Sequence, residues 1–467
     1  MADGALAREV RRLALPAILH SLLQTLVFVV DRIMLGQHGE TSLAAMQLGG
    51  AIEWSIWSVF ASFEVGTIAR VGRHVGAKNP AAARRAAWIS LAMAFGLGSL
   101  LAIVSPLVLR ALPLVAANVS PAALDEARGY LAITMAASPL VFLSMISIAT
   151  LQAGGDTKTP LVIGIFANVI HVALNRALIL GVGSIPALGA RGAAISTAIT
   201  FGLEAACAAL ALTSRRRPVS LRKPLEPPPE EPAGPSPHAT REEARQLAHV
   251  AFPALLERVL YHIGYVGYVL MIARLGDAAM AANQSLISVE SICFLSGDGF
   301  GIAAAALVAQ KLGASKPGEA RKAAKIATRD AILALTIFGL VALAFRDAIL
   351  PLFAKDPEVI AIGRSAMPVL AVAQPFMATA IVIAQSLRGA GQTRQVLGVS
   401  VVGALFVRLS MTWLFAIALG FGLVGVWLGS TLDWAVRTAL LLVIAVRSRE
   451  GRDSGAATPV ESATVNR

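Results

Sequence analysis

Long apolar stretches recur along almost the whole chain, and they constrain its fold more than any other feature. A membrane-spanning helix needs roughly 20 mostly apolar residues. Hydrophobic residues make up 56% of the 467 residues, whereas charged residues make up only 15%, too few to cover a soluble protein. The chain contains twelve apolar runs, at about 13–36, 49–69, 87–113, 129–152, 160–181, 192–213, 248–273, 285–307, 331–353, 366–387, 396–418 and 423–446. The sequence therefore predicts an all-α integral membrane protein with twelve transmembrane helices.

The basic residues cluster in alternate loops between these runs. They are concentrated before the first run and at 70–85, 215–223, 311–329 and 447–452. Because Lys and Arg accumulate on the cytoplasmic side of membrane proteins, this asymmetry predicts a multi-pass protein of the plasma (inner) membrane with both termini in the cytoplasm. The net charge of +12 therefore marks one membrane face rather than a nucleic-acid partner.

Other classes of protein fit the composition poorly. The high hydrophobicity excludes disorder for most of the chain. The only two cysteines, Cys207 and Cys293, lie inside apolar runs, which excludes a fold built on disulfides. No phosphate-binding loop and no metal-ligand spacing of His and Cys is recognisable, so we expect neither direct use of ATP nor a metal site.

A proline-rich break divides the runs into two sets of six. The segment 226–232 alone reads Glu-Pro-Pro-Pro-Glu-Glu-Pro, a composition typical of an extended, solvated linker. We expect an N-terminal six-helix lobe over 1–213, a cytoplasmic linker over 214–247, a C-terminal six-helix lobe over 248–450 and a disordered tail over 451–467.

The two halves are an internal repeat. An offset of 237 positions aligns Pro16 with Pro253 and Glu53 with Glu290, and later an offset of 236 aligns Gly155 with Gly391. Since each half has six spans, the two copies have the same orientation in the membrane. Parallel repeats of this kind are typical of transporters with a site near mid-membrane.

Several motifs resemble those of the MATE (multidrug and toxic compound extrusion) family, most closely its DinF-type branch. The matching segments are 13–19, 30–36, 151–160, 186–194 and 387–393. The resemblance implies two six-helix lobes around a central cavity and cation-driven export of small organic compounds, often cationic, by alternating access. It implies a transporter rather than an enzyme, with no cofactor besides a coupling ion, H⁺ or Na⁺. We expect the lipid bilayer and small organic substrates to be its partners, and a monomer.

Ionisable side chains inside a run are candidates for function, since one at a helix centre costs about 2.5–3.5 kcal/mol on insertion scales. In the first run, His20, Gln24 and Asp31 are spaced by 4 and 7 residues and share one helical face. The resemblance implies that Asp31 carries the coupling ion and that Gln24 faces the same cavity. The plain alternative is that Asp31 caps its helix or pairs with Arg32 or Arg176.

Two further runs of the first half carry polar faces. Asn168, His171 and Asn175 share a face of the fifth run, and Thr197 and Glu204 share a face of the sixth. Many family members have Asn at the position of His171 and Asp at that of Asn175. Loss of that carboxylate disfavours Na⁺, and the added imidazole favours H⁺ because its ordinary pKa is near 6.5. We expect Asp31 with His171, aided by His20, to carry the coupling proton, with Asn175 and Thr197 in the same ion site. We expect Gln24, His20 and Asn168 to contact the substrate; for Asn168, Asn175 and Thr197 the alternative is hydrogen bonding between helices without a transport role.

In the second half, the seventh run carries Glu257, Tyr261, Tyr265 and Tyr268 on one face. A carboxylate beside aromatic rings suits an organic cation. We expect Glu257 to take part in ion coupling and the three tyrosines to contact the substrate. Alternatively, Glu257 pairs with Arg258 or Arg408, and the rings only pack.

Arg408 lies alone in the middle of the eleventh run, and we expect it to pair with Glu257 or Asp298. Asp433 and Arg437, four residues apart, predict a local ion pair.

Two other functions stay open at this point. A flippase for lipid-linked saccharides, from the same superfamily, would be expected to line its cavity with several Arg or Lys that bind pyrophosphate. A membrane-embedded enzyme or scaffold would need a reactive group of residues, and none is recognisable. The favoured function is export of small organic, cationic or amphipathic compounds in exchange for H⁺, with Na⁺ as the alternative ion.

Overall fold

The computed structural model describes residues 2–115, 120–222 and 237–453. The proline-rich part of the predicted linker, 223–236, and most of the predicted tail, 454–467, lie outside these ranges. Within them the chain is helical, and its one β contact is an isolated bridge between Val182 and Ile185. An all-helical chain satisfies every backbone hydrogen bond inside its own segments, which lipid cannot do for it.

The first half forms eight helices. They are α1 (Ala2–His38), α2 (Glu40–Phe60), α3 (Ser62–Gly76), α4 (Pro80–Val115), α5 (Pro121–Ala136), α6 (Ser138–Ala153), α7 (Lys158–Ile179) and α8 (Gly189–Leu212). The second half forms a similar series. It comprises α9 (Pro237–Ala273), α10 (Asp277–Gly313), α11 (Pro317–Ala344), the short α12 (Arg346–Ile349), α13 (Pro357–Gly389), α14 (Thr393–Ser400), α15 (Arg408–Thr412) and α16 (Gly422–Asp453). Two π-helical segments, Val401–Val407 and Trp413–Ala418, flank α15.

All twelve apolar runs are helical over most of their length, which confirms the predicted fold class. In the described ranges, ten single helices are long and apolar enough to cross a membrane, and α5 with α6, bent by 52°, makes an eleventh span. The remaining run, 49–69, lies in α2 and α3, which are separated by a break at Ala61. Large apolar side chains such as Ile103 and Leu107 are exposed at the surface, as a lipid-facing protein requires.

Local sequence explains where many helices begin and how they turn. Several start with a proline, whose fixed φ and missing N–H suit the first helical position. These prolines are Pro80, Pro121, Pro237, Pro317 and Pro357. At α5 the Ser120 hydroxyl also accepts a hydrogen bond from the Ala123 amide (3.3 Å), so the first turn is capped.

The predicted repeat is visible in the backbone of the turns. At each of three turns, a residue with positive φ in the first half has its repeat partner with positive φ in the second. These pairs are Gly39 with Gly276, Lys78 with Ser315, and Gly155 with Gly391, the last two glycines both at φ 82°. The internal repeat therefore holds in the backbone as well as in the sequence.

The described chain divides into two compact units that do not follow the sequence halves. Unit 1 comprises 1–259 together with 298–327 and 388–391, and unit 2 comprises the remainder. The larger core of unit 1 packs around Trp57, Tyr130 and Phe142, and that of unit 2 around Trp427 and Met367. Helix α9 begins at Pro237, inside the segment predicted as a linker, and α16 continues to Asp453.

Candidate functional site

The centre of the site is a contact between α1 and α7 in unit 1. His171 Nε2 lies 2.8 Å from Asp31 Oδ1, and Asn175 Nδ2 donates to the same oxygen at 2.5 Å. Asp31 is only 3% exposed, and its two partners are buried as well. The alternative pairing of Asp31 with Arg176 is wrong, since Arg176 donates to the carbonyl oxygen of Gly181.

Thr200 on α8 contacts the other side of the His171 ring. Its hydroxyl oxygen lies 2.7 Å from the Ser196 carbonyl oxygen and 2.9 Å from His171 Nδ1. A neutral imidazole carries a hydrogen on one ring nitrogen and a protonated imidazole on both, so His171 can bond to Asp31 and to Thr200 in either form. The side chain of His171 therefore joins α7 to both α1 and α8.

Around this pair lies a cavity built from one face of each of five helices. On α1 and on α8 the lining residues follow the spacing i, i+3, i+4, i+7, which places them on a single stripe. The lining residues are Gln24, Val27, Phe28 and Asp31 of α1, Glu53 and Trp57 of α2, Tyr130 of α5, Asn168 and His171 of α7, and Thr197, Thr200, Phe201 and Glu204 of α8. Three of these side chains are acidic, and none of them is Lys or Arg.

The acidic side chains of the cavity differ in their partners. Glu53 accepts a very short hydrogen bond from the Tyr130 hydroxyl on Oε2, and Glu204 accepts one from Ser144 on α6 (3.0 Å). Gly49 lies one turn before Glu53, and a Cβ there would come within 3.0 Å of the Tyr130 ring. The glycine therefore allows the ring to pack on α2 and its hydroxyl to reach Glu53.

Gln24, Asn168 and Thr197, which the sequence predicts at the site, all line the cavity. The positions of Glu53, Tyr130 and Thr200 in the cavity lining were not predicted. For Glu53 a signal existed, because the residue lies inside an apolar run and the repeat aligns it with Glu290. For the other two, no pattern within one helix points to the contact.

His20 is not among the lining residues, contrary to the prediction. It shares a helical face with Asp31 but lies eleven residues away, about 16 Å along the helix axis. Its ring instead lies beside Gly164 of α7, where a Cβ would be 3.0 Å from His20 Cδ2. Residues on one helical face point the same way but lie at different heights along the helix axis. His20 lies about one turn before Gln24, outside the cavity lining.

The seventh-run residues are divided between the two units. In unit 1, Glu257 forms an ion pair with Arg388 at 2.6 Å, a partner that the sequence did not predict. In unit 2, Tyr261 and Tyr265 stack with ring centroids 6.4 Å apart, and Tyr268 continues the stack at 6.2 Å. Within unit 1, Glu257 is not among the residues that line the cavity around Asp31.

Unit 2 contains a buried charge cluster of its own. Asp433 accepts hydrogen bonds from Arg408 (2.8 Å) and from Arg437 (2.6 Å), and it is fully buried. The predicted local pair of Asp433 with Arg437 is therefore present, but the expected partner of Arg408 was wrong. Arg408 also lies over the Tyr268 ring, 5.7 Å from its centroid.

Comparison with known proteins places these features in a family. The profile of the MatE family matches residues 16–176 and 253–414, which are the corresponding parts of the two repeats. The chain is 24% identical to the probable multidrug resistance protein NorM of Thermotoga maritima, over 93% of this chain and 91% of that protein. It is 27% identical to the probable NorM of Bradyrhizobium diazoefficiens, over 93% and 92%.

The fold is also similar to solved structures. An outward-facing multidrug resistance MATE family transporter of the MOP superfamily superposes with a TM-score of 0.86, covering 96% of this chain and 97% of that one at 19% identity. A MOP superfamily transporter from Pyrococcus furiosus gives 0.85 with the same coverage and identity.

Proposed function

The chain belongs to the MatE family of membrane transporters, and we propose that it is an inner-membrane antiporter that exports small organic cations in exchange for protons. The relatives named as multidrug resistance proteins support export of varied organic compounds. The observation that carries the proton coupling is the buried 2.8 Å contact between Asp31 Oδ1 and His171 Nε2.

A buried carboxylate beside an imidazole can take up and release a proton, and the two states differ by one unit of charge. Without the additional proton, a neutral imidazole donates from Nε2 to the Asp31 carboxylate at 2.8 Å, and the buried pair carries a net negative charge. With the proton the pair is neutral overall, so its burial no longer leaves a net charge away from water. Proton binding and release would therefore favour different packings of α1 on α7 and bias the transporter between two conformations.

The cavity lining favours cationic substrates over the alternative of a saccharide flippase. Asp31, Glu53 and Glu204 give it negative potential, and its lining residues include no Lys or Arg. A pyrophosphate group would be repelled by such a surface. Aromatic side chains, among them Trp57 and Phe201, add cation–π contacts for organic cations.

The test is uptake of a panel of cationic dyes into everted vesicles, with pH and sodium gradients imposed separately. We expect an acid-inside gradient to drive uptake and an inward or outward sodium gradient at equal pH to leave it unchanged. Uptake driven by sodium alone would show that the coupling ion is Na⁺. Absence of uptake under either gradient would contradict antiport.

Asp31→Asn is the variant that addresses the coupling group. We expect it to lower pH-driven uptake at least tenfold, because the pair can no longer release a proton from a carboxylate. The matched control is Asp125→Asn, since Asp125 is 68% exposed and pairs with Arg191 outside the cavity. Full pH-driven uptake by Asp31→Asn would refute the assignment.

A further inference from the structure

We propose that Glu53 binds the protonated amine of the exported substrate, so that within one cavity this carboxylate recognises the substrate while Asp31 and His171 hold the proton. The inference rests on the proposed function and names the residue that selects the substrate by its charge.

The first observation is an unfilled hydrogen-bond acceptor. Glu53 is 3% exposed, and its Oε2 accepts the Tyr130 hydroxyl, but its Oε1 has no hydrogen-bond partner among the described residues. Buried carboxylate oxygens are normally satisfied, because leaving one unpaired is costly. The Glu53 side chain lines the cavity, so a donor on a bound molecule can supply the missing bond after a small rotation of the carboxyl group.

The second observation is that Asp31 is already engaged. Its Oδ1 accepts a hydrogen bond from Asn175 and lies 2.8 Å from His171 Nε2. Glu53 has only neutral hydroxyl groups beside it, those of Tyr130 and Thr134, and a neutral hydroxyl does not balance a carboxylate charge. Of the three acids that line the cavity, Glu53 is the one with a buried oxygen that lacks a hydrogen-bond partner in the described chain, so it is the one that a cationic ligand would complete.

The third observation is the set of aromatic rings around Glu53. Trp57 lies one helical turn further along α2, and its ring meets that of Phe201 edge-on with centroids 5.2 Å apart. Both rings, together with Phe28 and Tyr130, line the same cavity. Flat apolar rings beside a carboxylate suit a molecule with an aromatic body and a positively charged nitrogen.

The unpaired Oε1 of Glu53 also restricts which kinds of cation can bind. Oε1 needs a hydrogen, which a primary, secondary or tertiary ammonium group supplies and a quaternary ammonium group cannot. A protonated amine gains a charge-assisted hydrogen bond in addition to Coulomb attraction. The site is therefore expected to prefer protonated amines to quaternary ammonium compounds of the same skeleton.

The experiment is equilibrium binding of three related fluorescent ligands to the full chain in lipid nanodiscs. They are 1-naphthylmethylamine, its uncharged N-acetyl derivative and its N,N,N-trimethylammonium derivative. For the wild type we expect the protonated amine to bind at least tenfold more tightly than either of the others. Equal affinity for the amine and the trimethylammonium compound overturns the proposal, and this comparison needs no variant.

The variant Glu53→Gln keeps the size of the side chain and an oxygen that accepts from Tyr130. We expect it to weaken binding of the amine tenfold or more and binding of the N-acetyl compound less than threefold. Equal weakening of both ligands, or unchanged amine binding, overturns the proposal. Glu40→Gln is the control, because it removes an exposed acid from the start of the same helix.

Failure of this inference and failure of the proposed function give different results. Equilibrium binding is measured without any ion gradient, so it tests only whether Glu53 recognises the amine. Uptake into everted vesicles tests whether the protein is an antiporter. Wild-type uptake driven by pH, together with a Glu53→Gln variant that still prefers the amine, overturns the role of Glu53 and leaves the antiport proposal standing.

Discussion

Gly76 and Gly313 are equivalent residues of the internal repeat, and each lies against the backbone of the other's helix. A Cβ on Gly76 would overlap the carbonyl oxygen of Gln310, and a Cβ on Gly313 would overlap that of Arg73. Arg73 and Gln310 are themselves repeat partners, 237 positions apart. The ends of α3 and α10 therefore cross in a symmetric contact within unit 1 that leaves room only for hydrogen.

Gly76→Ala is expected to destabilise the protein because the clash is with backbone, which no side-chain rotation can relieve. Overpacking of this kind costs about 1–3 kcal/mol or more. We expect a lower melting temperature of the detergent-solubilised protein by fluorescence-detected size-exclusion chromatography. Gly96→Ala is the control, since nothing lies within 4 Å of a Cβ there. If Gly76→Ala and Gly96→Ala have equal melting temperatures, α3 and α10 can move apart at their crossing at little cost in stability.

Thr200→Val is expected to impair coupling through His171. The variant keeps the shape of the side chain but removes the hydroxyl that bonds to His171 Nδ1, so the imidazole loses one of the contacts that orient it toward Asp31. We expect pH-driven dye uptake to fall about three- to tenfold, of the order of one lost hydrogen bond.

The matched control for that change is Thr213→Val. Thr213 also donates to a backbone carbonyl, that of Leu210, but lies at the end of α8 away from any histidine bond in the described chain. If both threonine variants transport equally well, the hydrogen bond between Thr200 and His171 is not needed for coupling.

Asp433→Asn is expected to be one of the most destabilising single substitutions in unit 2. It leaves Arg408 and Arg437 buried without a full counter-charge, and breaking a buried ion pair costs about 3–5 kcal/mol. Thermal stability in detergent measures the loss. Asp347→Asn serves for comparison, because its pair with Arg364 is at least half exposed on both sides and is expected to contribute about 0–1 kcal/mol.

A double-mutant cycle separates the two explanations for Glu257. Its side chain and that of Arg388 are 11% and 13% exposed, so the pair is largely shielded from solvent. If Glu257 serves only this pair, Glu257→Gln and Arg388→Gln each reduce transport, and the double variant recovers part of it. We expect that recovery; a double variant no better than Glu257→Gln would indicate a direct role in ion coupling.

Much of the site could be predicted from single helices, but its partners could not. Asp31 and His171 were both expected to carry the proton, and their contact joins residues 140 positions apart. Glu53 was recognised only as half of a repeat pair, because its partner Tyr130 lies on another helix at the start of an apolar run. The stripe Tyr261, Tyr265 and Tyr268 was predicted correctly as one face, yet periodicity alone did not show what that face meets.

The sequence by itself determined that the chain is a doubled bundle of membrane-spanning helices. The length of each apolar stretch and the need to satisfy backbone hydrogen bonds in lipid are local properties of the chain. An internal repeat is found by aligning the sequence with itself. Tertiary structure alone decided that His20 lies outside the cavity lining and that Glu257 pairs with Arg388. It also decided that Glu53 has one oxygen without a hydrogen-bond partner in the described part of the chain. Such contacts depend on the depth and rotation of one helix against another, and the spacing of residues within a single helix contains neither quantity.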